Sequence, residues 1–197
     1  MPEKICTCTV ARHNVIRQDK PASCGPTCLQ MAYKYLTGSD IGTSLMFSLT
    51  AITEDLLKKG YDGRAVGTYG ANMATSATGL GLSAQFHTYD MKDFIKCLGL
   101  MKAHSTCVIA FVTWDTGGGH WVFAVKSTVD LSSLNQIVCV CDPWDGEVHR
   151  VTFTAYKDGA SGALAYAPGY GTGTFGFGGK LQAITLTRAP ASLPSLP

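Results

Sequence analysis

Cys24 stands where a polar stretch gives way to an apolar one, in IRQDKPASCGPTCLQMAYKYLTG at residues 16–38. From Ala22 onward the apolar spacing predicts a helix, with Ser23 as its N-cap and Gly38 as its end. A thiol at a helix N-terminus faces the positive end of the helix dipole, which favours the thiolate over the thiol. Cys24 is therefore a candidate nucleophile, and the alternative is a buried thiol that happens to begin a helix.

A cysteine nucleophile needs a base, which the fold can bring from a distant part of the chain. Of the five histidines, His120 is the candidate, because it follows TGGG and opens the apolar strand WVFAV at the end of a predicted sheet. Asp142 ends the predicted strand 135–142. If this strand pairs antiparallel with strand 120–128, the start of one faces the end of the other. His120 and Asp142 then lie side by side, and the carboxylate can orient the imidazole.

Gln18 lies six residues before Cys24, in the stretch that leads into the helix. Its side-chain amide and the Cys24 backbone N–H could together donate to a carbonyl oxygen that gains negative charge during acyl transfer. Each residue alone has an ordinary explanation: a core thiol, an exposed histidine, a turn-forming aspartate and an uninformative glutamine. The hypothesis of a Cys–His–Asp site with a glutamine donor therefore depends on their order and contexts together.

The elements that must position these residues change character along the chain. Helices are predicted from Ala22 and over 51–60, 71–78 and 90–103, and a first strand over 82–89. Strands rich in Val, Ile, Thr and aromatic residues follow at 107–114, 120–128, 135–142, 147–156 and 181–188. Residues 157–180 are rich in Gly, Ala and Tyr and predict an irregular loop. We expect an α+β fold in which a helical N-terminal half packs against a C-terminal antiparallel sheet, with a cleft between them.

Length and composition limit the possible classes of protein. The 197 residues are enough for one core, so we expect a single domain over 1–188 and a Pro/Ser-rich tail over 189–197 that does not pack. The net charge is only +2 and the basic residues are scattered, which predicts no binding to nucleic acid or to a membrane surface. No apolar run is long enough to cross a bilayer, and the N-terminus has no signal-peptide pattern. We therefore expect cytoplasmic localisation in the producing cell.

The chain has eight cysteines. Cys97, Cys107, Cys139 and Cys141 lie in apolar segments, where a free cysteine behaves as a small core residue. Because no export signal is visible, we predict that most of the eight are reduced thiols. The two C-x-C pairs lack the ligand spacings of structural zinc sites, so no metal site is predicted.

Three segments resemble a known family of enzymes. Gln18, five further residues, CGPTCLQM and the helix end YLTG resemble the start of the bacteriocin-leader, or double-glycine, peptidases. HWVFAV and CDPWDG follow in the order of that family's histidine strand and its Asp-Pro turn. These enzymes are papain-like cysteine peptidases, often found as N-terminal domains of peptide-exporting ABC transporters. The resemblance is confined to these blocks and does not extend to residues 40–90 or 157–197.

The resemblance implies a papain-like fold and a role for each candidate residue. It makes Cys24 the nucleophile and His120 the general base and acid. It makes Asp142 the residue that orients His120, and Gln18 the side chain of the oxyanion hole. The family implies cleavage of a protein or peptide after a Gly-Gly pair, in a groove whose inner subsites admit only glycine. No metal or organic cofactor is required by this mechanism.

Three neighbours of these residues carry further expectations. Cys28 lies one turn along the predicted helix and is expected to be buried and inert. Trp121 and Trp144 flank His120 and Asp142 in the sequence. They either shield the pair from water or belong to the core.

The biological setting of such a stand-alone peptidase is open between two interpretations. One is a bacterial effector toxin, delivered into a target cell by a specialised secretion system and blocked in the producer by a cognate immunity or inhibitor protein. The other is a processing enzyme that matures leader peptides in trans.

Other functions and sites also remain open at this point. A deamidase or an acyltransferase would use the same thioester chemistry, and an inert papain-like scaffold would bind peptides without cutting them. The chain's own pairs Gly118–Gly119 and Gly178–Gly179 are interpreted as turns before strands rather than as sites of self-processing.

Overall fold

The computed structural model confirms the predicted α+β class, with two helices and an antiparallel sheet of eight strands in the described part of the chain. The structure describes residues 15–19, 23–39, 68–90, 101, 105–130, 135–153, 165–166, 168–176 and 180–188. The predicted helix over 51–60, most of that over 90–103, and the predicted tail lie outside these ranges. Within them, no helix is long and apolar enough to cross a membrane.

The first helix, α1, spans Cys24–Thr37. It ends as predicted at Gly38, which adopts the left-handed conformation (φ 75°). Pro26 lies in the first turn, where backbone N–H groups have no partner within the helix, so the missing N–H of proline costs no helical hydrogen bond. Ser23 holds the predicted N-cap position, but its hydroxyl donates to Oδ1 of Asp19 (3.0 Å) and does not cap the helix.

The remaining elements follow the predicted order. Helix α2 spans Gly70–Gly79, one residue beyond the prediction at each end. The strands are β1 (Leu82–Tyr89), β2 (Thr106–Trp114), β3 (Gly119–Asp130), β4 (Asn135–Asp142), β5 (Glu147–Phe153), β6 (Ala165–Tyr166), β7 (Gly173–Phe175) and β8 (Leu181–Arg188). β1, β4 and β8 have the predicted bounds. The expectation of an irregular loop over 157–180 is wrong where β6 and β7 form.

Strand pairing brings distant parts of the chain to one end of the sheet. The strand order is β1-β8-β2-β3-β4-β5, and every neighbouring pair is antiparallel. β8 pairs with Thr106–Ala110 of β2, and β7 pairs with Val112–Trp114 farther along the same strand. β6 pairs with β7. The loop at 168–172 therefore lies beside the end of β2 and the start of β3.

Successive residues of β3 face opposite sides of the sheet. Trp121 and Phe123 pack with α1 and α2 in one buried cluster, whereas Val122 belongs to a second cluster on the other face. His120 pairs with Val112, which also belongs to the second cluster. The imidazole therefore lies on the face away from the helices, at the strand end where α1 begins.

Among the described residues, Cys139 departs from the prediction that most cysteines are reduced. Cys139 in β4 is disulfide-bonded, so the interpretation of its apolar segment as a sign of a reduced thiol is wrong. An apolar strand indicates that a cysteine is buried, but both reduced and disulfide-bonded cysteines can be buried. Cys24, Cys28, Cys107 and Cys141 are buried and form no disulfide bond.

Candidate active site

His120 and Asp142 meet where β3 starts and β4 ends. The two strands pair antiparallel, with Phe123 opposite Cys141, so the structure has the pairing on which the sequence argument depends. The Nε2–H of His120 donates to Oδ1 of Asp142 over 2.8 Å. Both residues are buried, with relative exposures of 4% and 0%.

Asp142 accepts hydrogen bonds at both carboxylate oxygens. Oδ1 also accepts from the backbone N–H of Trp144 (2.8 Å), and Oδ2 accepts from the hydroxyls of Tyr166 (2.6 Å) and Tyr170 (2.5 Å). Burial alone would raise the pKa of this carboxyl. The bond and charge of His120, with the two tyrosine bonds, outweigh burial and lower the Asp142 pKa below its usual value. Asp142 is therefore an ionised carboxylate with four donors around it.

Tyr166 and Tyr170 were not predicted as site residues. They belong to β6 and to the loop before β7, within the stretch that the sequence analysis treated as irregular. Burial and the neighbouring charge of Asp142 raise the pKa of both hydroxyls, which keeps them protonated as donors. The tyrosine-rich composition was the only signal, because no local spacing links Tyr166 to an aspartate 24 residues away.

Cys24 opens α1, and its thiol lies close enough to His120 to contribute to the pKa of the imidazole. Nε2 of His120 faces Asp142, which leaves Nδ1 as the ring nitrogen available to the thiol. Burial opposes a charge on the imidazole, but the hydrogen bonds and charges of Asp142 and Cys24 raise the His120 pKa from 6.5 to about 9. The structure thus brings these three predicted residues together around His120, which is hydrogen-bonded to Asp142.

The first turn of α1 approaches the neighbouring segment too closely for a side chain at position 25. A Cβ on Gly25 would lie 2.7 Å from Cβ of Thr68 and 2.9 Å from Sδ of Met73. Cys28, one turn along, is fully buried and donates through Sγ to the carbonyl of Trp121 (3.2 Å). Burial raises the pKa of Cys28 well above its ordinary value, which agrees with the predicted inert thiol. These contacts hold the start of α1 against β3.

Gln18 lies in segment 15–19, whose backbone is hydrogen-bonded both to the turn after Asp142 and to α1. Its backbone N–H donates to the carbonyl of Pro143 (2.7 Å), in the turn after Asp142. Two residues earlier, the N–H of Ile16 donates to Sδ of Met31 on α1 (3.2 Å). The backbone of Gln18 is therefore held near Asp142, and its role as an oxyanion donor stays a prediction.

A pocket of about 410 Å³ opens beside His120. Its walls include Trp114, Trp144 and Tyr170, with threonine and glycine residues from the turn at 116–119 and from 171–172. The Trp114 ring stacks on the imidazole, with centroids 5.6 Å apart and planes 29° apart. Trp114, which was not among the predicted site residues, therefore covers His120.

The two tryptophans that the sequence analysis considered have different positions. Trp121 belongs to the core, and its Nε1–H donates to the carbonyl of Thr68 (2.8 Å). Trp144 is half exposed at the pocket. The Gly118–Gly119 pair lies at the start of β3, where a Cβ on Gly119 would come within 2.1 Å of the Phe111 ring. Gly178–Gly179 lies outside the described residues.

A second His–Asp pair lies next to the first. The Nε2–H of His149 donates to Oδ2 of Asp145 (2.8 Å), and one potential ligand atom each from His149, Asp145 and Asp142 lie within 4.8 Å of one another. Because the oxygens of Asp142 already accept four hydrogen bonds, this arrangement is better suited to hydrogen bonding than to a cation. His87 pairs with Gln85 on β1, and the two other histidines lie outside the described ranges.

Comparison with solved structures finds a distant likeness. No protein-family profile and no curated protein sequence matches the chain. One solved structure that resembles it is a double glycine motif protease from an AMS/PCAT transporter, crystallised with the leader peptide. The two chains are 15% identical, with a TM-score of 0.47, over 88% of this chain and 90% of that one. A likeness at this level does not transfer residue roles.

Proposed function

We propose that the chain is a cysteine peptidase with Cys24 as its nucleophile. One observation carries the proposal: the buried His120 imidazole is hydrogen-bonded to Asp142, and the Cys24 thiol at the start of α1 lies close enough to help raise the pKa of that imidazole. The raised pKa of His120 keeps the imidazole protonated at neutral pH. The imidazolium then pairs with a Cys24 thiolate, which the helix dipole also favours.

In the proposed reaction, Sγ of Cys24 attacks the scissile carbonyl, and the resulting oxyanion accepts hydrogen bonds from the Cys24 N–H and the Gln18 amide. His120 gives its proton to the leaving amine as the C–N bond breaks, which leaves a thioester on Cys24. Neutral His120 then takes a proton from the water that attacks the thioester. The acid is released and the ion pair reforms, while Asp142 holds the ring in one orientation.

The proposed substrates are peptides or proteins cut after a Gly-Gly pair. This rests on the resemblance of the segments around the four site residues to double-glycine peptidases. Deamidation and acyl transfer proceed through the same thioester and are the rival reactions. The mass of the product separates the three reactions: peptidase action splits the chain, deamidation converts an amide to an acid, and acyl transfer links two molecules.

Alkylation tests the proposed nucleophile without a known substrate. At mildly acidic pH an ordinary thiol is almost wholly protonated, so iodoacetamide should label Cys24 fast in the wild type and slowly in His120→Ala. Cys28 and Cys107 serve as internal references in the same digest, since burial raises the pKa of both. Equally slow labelling of Cys24 in both proteins would make it an ordinary thiol and would remove the basis of the proposal.

The biological setting is a proposal as well. In the effector interpretation, the peptidase acts on a protein of a target cell, and a cognate immunity protein blocks the cleft. Production of the wild type in the bacterial cytoplasm should then arrest growth, and production of Cys24→Ala should not. Normal growth with active wild-type enzyme would favour leader-peptide processing in trans.

A further inference from the structure

We propose that the pocket beside His120 binds an uncharged aromatic or branched apolar side chain, carried by the residue directly after the scissile bond. The inference rests on the proposed peptidase function, because it takes His120 as the proton donor to the leaving amine. It concerns the leaving segment, whereas the Gly-Gly preference concerns the residues before the bond.

The position of the pocket identifies the part of the substrate that it meets. His120 forms part of the wall, and among the described residues no member of α1 or of segment 15–19 lines it. During cleavage the acyl half of the substrate stays on Sγ of Cys24, and the amine half receives its proton from His120. The side chain of the first residue in the amine half therefore lies on the imidazole side, where the pocket opens.

Aromatic rings determine the kind of side chain that the pocket favours. The rings of Trp114 and Trp144 lie 5.7 and 6.3 Å from that of Tyr170, and Trp114 stacks on His120. Trp144 and Tyr170 are 46% and 42% exposed. Exposed aromatic rings at the rim of a pocket are typical of a binding site for an apolar group. The volume of about 410 Å³ lies within the range of about 300–1,000 Å³ found for ligand pockets.

Charge excludes the alternatives to an apolar side chain. Among the described residues, no Asp, Glu, Lys or Arg lines the pocket. A lysine or arginine side chain would lose its hydration in a lining that offers it no carboxylate partner. A carboxylate would lose its hydration next to an imidazolium already paired with Asp142. An uncharged side chain is subject to neither cost.

The pocket is preformed, since its two sides are bonded to each other. The N–H of Asp115 donates to the carbonyl of Thr172 (3.1 Å), and the Thr172 hydroxyl donates to Oδ2 of Asp115 (2.7 Å). Tyr170 is fixed by its bond to Asp142. A pocket held in this way binds a side chain without a large cost of ordering.

Calorimetric titration of full-length Cys24→Ala protein tests the pocket without turnover. The probes are three capped hexapeptides that share a central Gly-Gly and differ only in the next residue, which is Phe, Gly or Lys. The Phe peptide is expected to bind about tenfold more tightly than the other two. In the Cys24→Ala protein, a second substitution should abolish this preference: Trp144→Ala removes a wall of the pocket, and Gly171→Leu fills it. A Cβ at position 171 meets Trp114 at an ordinary 3.7 Å, so the larger side chain has room to occupy the pocket.

Two control variants repeat these substitutions away from the pocket. Tyr69→Ala removes another exposed aromatic ring, and Gly79→Leu adds a side chain where nothing lies within 4 Å of the new Cβ. Both should keep the Phe preference. Equal binding of the three peptides, no binding of any, or a Phe preference that survives both Trp144→Ala and Gly171→Leu would overturn the inference.

Cleavage of the same peptides by the wild type distinguishes this inference from the proposed function. Cleavage after Gly-Gly with no preference for Phe would overturn the pocket assignment and leave the peptidase in place. A Phe preference in binding without any cleavage would support the pocket as a binding site and contradict the peptidase.

Discussion

Tyr170 donates its hydroxyl to Oδ2 of Asp142 over 2.5 Å, although its side chain is 42% exposed at the rim of the pocket. The same oxygen accepts from Tyr166, which is almost wholly buried. The carboxylate that accepts a hydrogen bond from His120 is therefore held by one rim residue and one core residue. These two bonds have the same chemistry and differ in their access to water.

This difference predicts unequal effects of the same substitution. Tyr166→Phe leaves a buried, charged acceptor with one donor fewer, and we expect the free energy of unfolding to fall by about 1–3 kcal/mol. At Tyr170 water can replace the lost donor, so Tyr170→Phe should cost less than about 1 kcal/mol. Both variants keep the aromatic ring, and urea titration measures both. Equal losses, or a larger loss at Tyr170, would mean that burial does not decide the strength of these bonds.

The sequence predicts the part of the site that lies on strands that follow one another along the chain. His120 and Asp142 lie on consecutive strands, so strand polarity alone brings the start of β3 to the end of β4. Tyr166 and Tyr170 reach Asp142 only because β7 pairs with the end of β2 and β6 pairs with β7. No local pattern specifies those pairings, so neither tyrosine was predictable from the sequence.

The alternation of side chains along a strand distinguishes Trp121 from Trp114. Neighbouring residues of a strand face opposite sides of a sheet, so Trp121 cannot share a face with His120. Trp114 lies two residues beyond Val112, the partner of His120, and therefore faces the same side. The period of the strand together with the β2–β3 register would have identified Trp114. The register itself depends on the turn between the strands, whose length the sequence does show.

The pH profile of activity should reflect the charge of Asp142. Activity is expected to fall as pH rises through about 9, because His120 then loses its proton. In Asp142→Asn the amide oxygen can still accept from His120, but without the negative charge the His120 pKa falls. The alkaline limb should therefore move to lower pH, and kcat/KM should drop about 10²–10⁴-fold. Asp145→Asn, which alters the neighbouring His149 pair, is the control, and an alkaline limb at the same pH in Asp142→Asn would contradict this prediction.

Stability should also depend on pH through the same pair. The folded-state pKa of His120, about 9, lies above its usual 6.5, so its contribution is complete below pH 6.5 and is lost as pH rises through 9. The Asp142 pKa is lowered, so its contribution is complete above the usual carboxyl pKa and is lost only as pH falls through the folded value. The free energy of unfolding should therefore fall between pH 6.5 and 9 more steeply in the wild type than in His120→Gln. Urea titrations at the two pH values measure both slopes, and parallel slopes would show that the imidazole carries no such linkage.

Substitution of Gln18 tests whether its side-chain amide stabilises the oxyanion. Gln18→Ala keeps the backbone bond to Pro143, so the segment should stay in place. If the amide acts only on the charge of the transition state, kcat should fall about 10²–10³-fold with little change in KM or in the free energy of unfolding. Gln85→Ala, on the exposed side of β1, is the matched control and should leave kcat unchanged. A loss of stability parallel to the loss of kcat in Gln18→Ala would instead mean that the side chain holds the segment against the turn after Asp142, and the oxyanion donor would have to be sought elsewhere.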